Sequence, residues 1–180
     1  MQPTRTFISW FVARAPALRF LLRFGALLGA FYVLMNFPVV DRAFYQYLCV
    51  NARVSNALLH ALGQDTAVAD VTIHSARYSV SIRRGCDAIE PAWFFCAAVL
   101  AFPAPWRRKL IGLAAGTAFI LLLNLARIVS LYFIGMEVPA YFATAHLELW
   151  PAVFILTALL LWIGWIRWSR SGSPSSHAAP

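Results

Sequence analysis

The chain has 180 residues, of which 61% are hydrophobic and 12% charged, against roughly 45–50% and 25% in soluble domains. A small globule leaves much of its surface in water, so a mean hydropathy of +0.69 excludes an ordinary soluble fold and points to lipid as the solvent. The formal net charge of +8 does not indicate nucleic acid, because most Lys and Arg flank apolar runs, as they do at the borders of membrane spans.

A bilayer core is crossed by about 20 mainly apolar helical residues. The first such segment runs from about Leu18 to Val40, its uninterrupted apolar part beginning at Phe24. No A-x-A-like cleavage site follows it, so it reads as an anchor and not as a removed signal peptide. Beyond it, residues 41–87 form a loop with structure of its own. From Arg42 to Leu62 the apolar residues Phe44, Tyr47, Leu48, Ala52, Leu58, Leu59 and Leu62 predict an amphipathic helix in the membrane interface, stopped by Gly63. Val68–Ile73 and Tyr78–Ile82 alternate apolar and polar residues around Ser75-Ala76, which predicts a short β-hairpin.

The second apolar segment, from about Ala88 to Phe102, is short and has Pro91 near its start, where proline is tolerated. The third runs from Leu110 to Ile134, interrupted by Asn124, Arg127 and Ser130, and the fourth from about Leu149 to Trp168. Residues 169–180, rich in Ser, Pro and Gly, read as a disordered tail. The expected fold class is therefore an all-α integral membrane protein. It has one domain, residues 1–168, with about four transmembrane helices (18–40, 88–102, 110–134, 149–168) and an extracytoplasmic loop, 41–87, carrying the amphipathic helix and the hairpin. Arg5, Arg14, Arg19 and Arg23, then Arg107, Arg108 and Lys109, then Arg167 and Arg170 would lie on the cytoplasmic side. That puts both termini inside and the loops 41–87 and 135–148 outside.

Three residues in this arrangement can do chemistry. Arg127 is an ionisable group inside a span, a costly placement that calls for a purpose or a partner, and it shares one helical stripe with Asn124 and Ser130. Cys86 follows Arg83-Arg84-Gly85 at the mouth of the second helix, where positive charge and a helix N-terminus would favour the thiolate. His146 precedes the fourth helix and can act as acid or base near neutral pH. His60 and His74 have less company, Cys96 reads as packing and Cys49 as inert. The cysteines show neither CxxC pairs nor zinc spacing, so no metal or other cofactor is expected. Topology set from flanking charge alone places a nucleophile, a fixed cation and an acid–base group at one depth on three helices, which is the logic of covalent catalysis.

Arg84-Gly85-Cys86-Asp87-Ala88-Ile89-Glu90-Pro91, Leu100-Ala101-Phe102-Pro103, Asn124-Leu125-Ala126-Arg127-Ile128-Val129-Ser130-Leu131 and His146-Leu147-Glu148-Leu149-Trp150 together resemble the exosortase/archaeosortase family, with exosortase H the most similar branch. The resemblance spans roughly Val71 to Trp168. It implies a membrane cysteine transpeptidase of the bacterial inner membrane, acting at the periplasmic face. Its substrates would be exported proteins with a C-terminal tripartite signal: a motif, a transmembrane helix and a basic cluster. Cleavage would be coupled to transfer onto an acceptor nucleophile of unknown identity. The family's catalytic positions fall on Cys86, Arg127 and His146, with Asn124, Arg84, Asp87, Glu148 and Ser130 as supporting or substrate-binding candidates. Asp87-Ala88 stands where a small polar residue and Gly often follow the cysteine. Two readings compete: an intramembrane hydrolase without transfer, and a non-catalytic assembly factor that binds a partner helix through the polar stripe around Arg127.

Overall fold

The computed structural model describes the backbone of residues 3–171 and the side chains of residues 14–171. Arg5 and the tail beyond Ser171 lie outside the side chains and residues so described. The described chain is predominantly helical. A long helix α1 (Pro3–Leu34) is followed by α2 (Pro38–Ala61), a small antiparallel sheet, α3 (Ile89–Ala101), α4 (Trp106–Glu137), a short α5 (Phe142–Thr144) and α6 (Trp150–Ser171). A 3-10 turn (Pro139–Tyr141) precedes α5, and a π turn (Ala145–Leu149) joins it to α6.

Among the described residues, three segments are long and apolar enough to cross a bilayer by themselves, Arg14–Leu34, Trp106–Glu137 and Pro139–Ser171. The expected second span, 88–102, is the 13-residue helix α3, about 20 Å long at 1.5 Å per residue, which is short against a hydrocarbon core of about 30 Å although it carries the chain from the Cys86 loop to the Leu100–Lys109 contact at the other end of the bundle. It is tolerated because it is central. It packs against α1, α4 and α6 together, and Ala92, Phe95, Ala97, Val99 and Ala101 are buried. Close approach is made possible by α4, where Gly112 faces the Trp165 ring and Gly116 faces the Phe95 ring, each leaving no room for a Cβ. The second cluster of buried residues, Ala88, Ala92, Phe95, Val99, Ile120, Phe154 and Trp165, forms along this contact.

The first helix ends at Leu34 and not near Val40. Pro38 requires an extended residue before it, and Phe37 supplies one with φ −87° and ψ 132°. The predicted amphipathic helix is present as α2, which lays Phe44, Leu48, Ala52 and Leu59 on Ile128 and Tyr132 of α4 and on Ile73 and Ile82 of the sheet region.

The expected hairpin is three strands, β1 (Ala67–Ala69), β2 (Thr72–His74) and β3 (Ser79–Ser81), in the order β1-β2-β3. The run Val68–Ile73 is broken by a tight turn in which Asp70 takes φ +54°, a conformation Asp tolerates better than most residues. Ala69 therefore pairs with Thr72, and Val71 leaves the alternation. The Ser75-Ala76 turn stands as expected: Ser75 Oγ donates to the Tyr78 carbonyl and accepts the Tyr78 N–H, both at 3.0 Å. Helix α6 continues to Ser171, so residues 169–171 are helical and not part of a loose tail.

At the opposite end of the bundle the basic residues are tied down locally. Lys109 Nζ donates to the Leu100 carbonyl at 2.6 Å, Arg108 donates to the Ser169 carbonyl, and the Arg170 guanidinium lies 5.6 Å from the Phe102 ring centre.

Candidate active site

The segment from Ile82 to Ile89 is a loop wound around one carboxylate. Gly85 takes φ +86°, and Ala88 takes φ +59°, the left-handed region in which a Cβ costs roughly 1–2 kcal/mol. Asp87 is 3% exposed and accepts the Gly85 and Ile89 N–H groups, both at 2.8 Å. The second of these satisfies the first N–H of α3, from one residue before the N-cap Ala88. Tyr47 Oη of α2 donates to the Asp87 carbonyl at 2.6 Å. Asp87 is thus a positioning residue that shapes the loop, and Cys86 is carried at its bend.

Opposite the loop stands His146 in the π turn. Turns of this kind insert one extra residue and recur at functional sites; here the turn, Ala145–Leu149, carries His146 directly ahead of α6. Cys86 Sγ lies 3.4 Å from His146 Nε2 and 3.8 Å from Nδ1, within hydrogen-bond reach for sulfur. The imidazole stacks on Phe142, 5.7 Å between centres at 16°, which fixes the ring plane.

Arg127 of α4 completes the group. Nη1 donates to the Gly85 carbonyl at 3.1 Å. Nη2 lies 3.4 Å from His146 Nδ1 and 3.5 Å from the His146 carbonyl. The guanidinium is 5.6 Å from the Phe154 ring centre. Its side chain is 4% exposed, yet Nε has no hydrogen-bond partner. A buried donor without a partner is costly, which marks this guanidinium as incompletely satisfied within the fold.

The supporting candidates divide. Asp87 joins the site. Asn124 does not reach it: its Nδ2 donates to Asn51 Oδ1 of α2 at 3.2 Å. Ser130 Oγ bonds back to the Arg127 carbonyl at 2.9 Å. Arg84 turns outward to Asp41, with its guanidinium 4.7 Å from the Phe44 ring centre. Glu148 is exposed and makes no hydrogen bond or ion pair among the described residues. His74 pairs with Ser79 Oγ at 3.1 Å, away from the thiol. The stripe Asn124-Arg127-Ser130 therefore faces into the fold and not outward to a partner helix.

The electrostatics also depart from the sequence expectation. Burial pushes the Cys86 thiol above its ordinary range, and the Asp87 charge adds to this; the Arg127 charge and a backbone hydrogen bond at Arg83 oppose it without winning. Arg83 and Arg84 do not supply the expected cationic field because both are exposed. Burial likewise raises Asp87, against the two N–H bonds from Ile89 and Gly85 and the charges of Arg127 and Arg84. The resting thiol is protonated near neutral pH, so it needs a base.

Sequence reasoning passed over Tyr47, Asn51, Phe142 and Phe154. Each reads as an apolar or polar helix residue, and only the fold reveals what it touches. It also passed over a cavity of about 680 Å³ beside the site, lined by Gly85, Asp87, Glu90 and Arg127 at one end and by apolar residues of α1, α3 and α6 elsewhere.

Comparison with curated proteins and with solved structures returns no match. The sequence profile of the transmembrane exosortase (EpsH-type) family matches residues 2–164. That match covers nearly the whole described bundle and the loop, stripe and turn that meet at Cys86, and the chain belongs to the transmembrane exosortase family, membrane transpeptidases of protein sorting.

Proposed function

We propose that Cys86, His146 and Arg127 cleave a C-terminal sorting signal through a thioester. The observation that carries this reading is the 3.4 Å approach of Cys86 Sγ to His146 Nε2 beside the buried Arg127 guanidinium. His146 Nε2 takes the thiol proton as the sulfur attacks the scissile carbonyl carbon. Taking it requires the Nδ1–H tautomer, so Arg127 Nη2 gives up Nδ1 and keeps the His146 carbonyl, while Nη1 keeps Gly85. The Nη2–H that Nδ1 releases, with the guanidinium charge behind it, then stabilises the developing oxyanion. The carbon–nitrogen bond breaks, the leaving amine takes the proton from Nε2, and the acyl group remains on sulfur. Water or an acceptor amine attacks the thioester, Nε2 removes its proton, and that proton returns to sulfur as the thiol leaves.

The exported substrate would carry a motif at the outer surface, a hydrophobic helix in the membrane and a basic cluster inside. The protein would lie in the bacterial inner membrane with its termini cytoplasmic and the Cys86 end periplasmic, as the grouping of Arg107, Arg108, Lys109, Arg167 and Arg170 at the other end supports. Transfer and hydrolysis differ in what the processed C-terminus carries, which its mass reads directly. Co-expression with a candidate sorting-signal protein tests the reaction: Cys86→Ala should leave the substrate unprocessed, and continued processing would refute the mechanism.

A further inference from the structure

The geometry points to the groove between α1, α3 and α6 as the seat of the substrate's hydrophobic helix, an assignment that rests on the sorting reaction proposed above. The groove is continuous with the site, since Gly85, Asp87 and Arg127 line it. Its far end is closed by Phe20 of α1 against Trp162 of α6, 5.8 Å between ring centres. Between these ends the walls are apolar, and Ala88, Ala98 and Ala158 give small side chains of the kind that lets a helix approach closely in lipid. On the rim, Leu21, Phe94, Ile155 and Leu159 are exposed, so the groove opens sideways to the bilayer. From Pro151 to Trp162 it runs about 16 Å along α6 at 1.5 Å per residue, room for roughly three turns of one helix face.

Charge selects the occupant. Glu90, on the first turn of α3, is exposed at the site end of the groove and makes no ion pair among the described residues. A substrate helix running inward from a cleavage point at Cys86 presents its N-terminus there, and that terminus carries a partial positive charge. A carboxylate beside it is favourable. An anionic lipid would set its phosphate against the same carboxylate, so a polypeptide helix is the better fit.

The test uses the full-length Cys86→Ala protein in cells, with a photo-crosslinking phenylalanine at Ala98 or Leu159 in the groove, or at Leu122 in the shallower furrow between α2 and α4. The probe is a tagged reporter ending in motif, hydrophobic segment and basic cluster, chosen because the wild-type protein processes it. Crosslinks from positions 98 and 159 to the reporter's hydrophobic segment, with little from 122, support the assignment. Crosslinks from 122 alone, or lipid adducts alone from 98 and 159, overturn it while leaving the Cys86 reaction standing. In the otherwise wild-type chain, Ala98→Leu and Ala158→Leu should each reduce processing about tenfold or more with the Cys86 alkylation rate unchanged, which separates a filled groove from a misfolded site. Glu90→Lys should lower crosslink yield more than Glu90→Gln; equal yields from both would remove the charge argument.

Discussion

The two flanks of α4 are built differently. On one, α2 and the sheet close over Ile128 and Tyr132, and Tyr47 and Asn51 reach across to bond the Asp87 carbonyl and Asn124. On the other, α3 packs into the glycine face of α4, but α1 and α6 stand apart along a cavity of about 680 Å³. The closed flank holds the Cys86 loop in shape; the open flank offers access. Arg127 stands at the seam, bonded to the loop at Gly85 and lining the groove. A transpeptidase in lipid needs both, because a rigid nucleophile is useless without a path for the peptide, and a path is useless if the nucleophile wanders.

The seam should be the most sensitive place to disturb. Arg127→Lys keeps the charge but loses the planar fork that spans Gly85 and His146. Processing should fall about 100-fold or more, the scale of losing a positioned oxyanion donor. A quantitative immunoblot of the reporter checks this, and near wild-type turnover would move Arg127 from the chemistry to the packing.

Next is the closed flank. Asp87→Ala removes the acceptor of two part-buried hydrogen bonds, from the Gly85 and Ile89 N–H groups, at about 1 kcal/mol or more each. Its melting temperature in detergent should drop, and Cys86 should become easier to alkylate as the loop opens. Tyr47→Phe removes one bond to the same loop and should cost about 1 kcal/mol. If Tyr47→Phe proved as harmful as Asp87→Ala, the carboxylate would not be the organising group.

The thiol reports on both flanks through pH. A raised pKa means a smaller thiolate fraction than a free cysteine has at the same pH, so alkylation of Cys86 should keep accelerating above the ordinary thiol range near ~8.5. Arg127 lowers this pKa and Asp87 raises it. Arg127→Ala should therefore shift the profile to still higher pH, and Asp87→Asn to lower pH. Shifts of opposite sign to these would mean that the charges do not act on the sulfur.

Much of this site could be read from the chain because its members are chemically expensive where they stand. An arginine in an apolar span, a cysteine after Gly85 and a histidine before an apolar run draw notice without coordinates. The supporting residues could not be read so well, since helical spacing fixes a side chain's direction and not its partner. Asn124 shares a stripe with Arg127 yet bonds Asn51, 73 positions away in sequence. Arg84 neighbours the nucleophile yet turns to Asp41. The thiol's pKa direction is hidden for the same reason: burial, which spacing does not show, outweighs the nearby charge. The strand count was missed because Asp70 hides a tight turn inside an alternating run. That the short α3 is enclosed by three neighbouring helices cannot be read in advance, because apolar composition does not distinguish lipid from protein as its surroundings.

The smallest expected effect concerns Ala88, the residue where the two flanks are joined in sequence. Its φ of +59° is one that glycine adopts freely, and the loop around Asp87 needs the left-handed conformation whatever residue is there. Ala88→Gly removes a strain of roughly 1–2 kcal/mol but adds about 0.5–1 kcal/mol of unfolded-chain entropy and takes a buried methyl from the second core cluster, worth about 0.8 kcal/mol. These nearly cancel, so its melting temperature in detergent should match wild type closely and processing should persist. Ala88→Val adds bulk and β-branching at the same φ and should destabilise clearly. A valine variant as stable as the glycine one would show that the loop does not hold this conformation, and with it the placement of Cys86 against His146 would have to be redrawn.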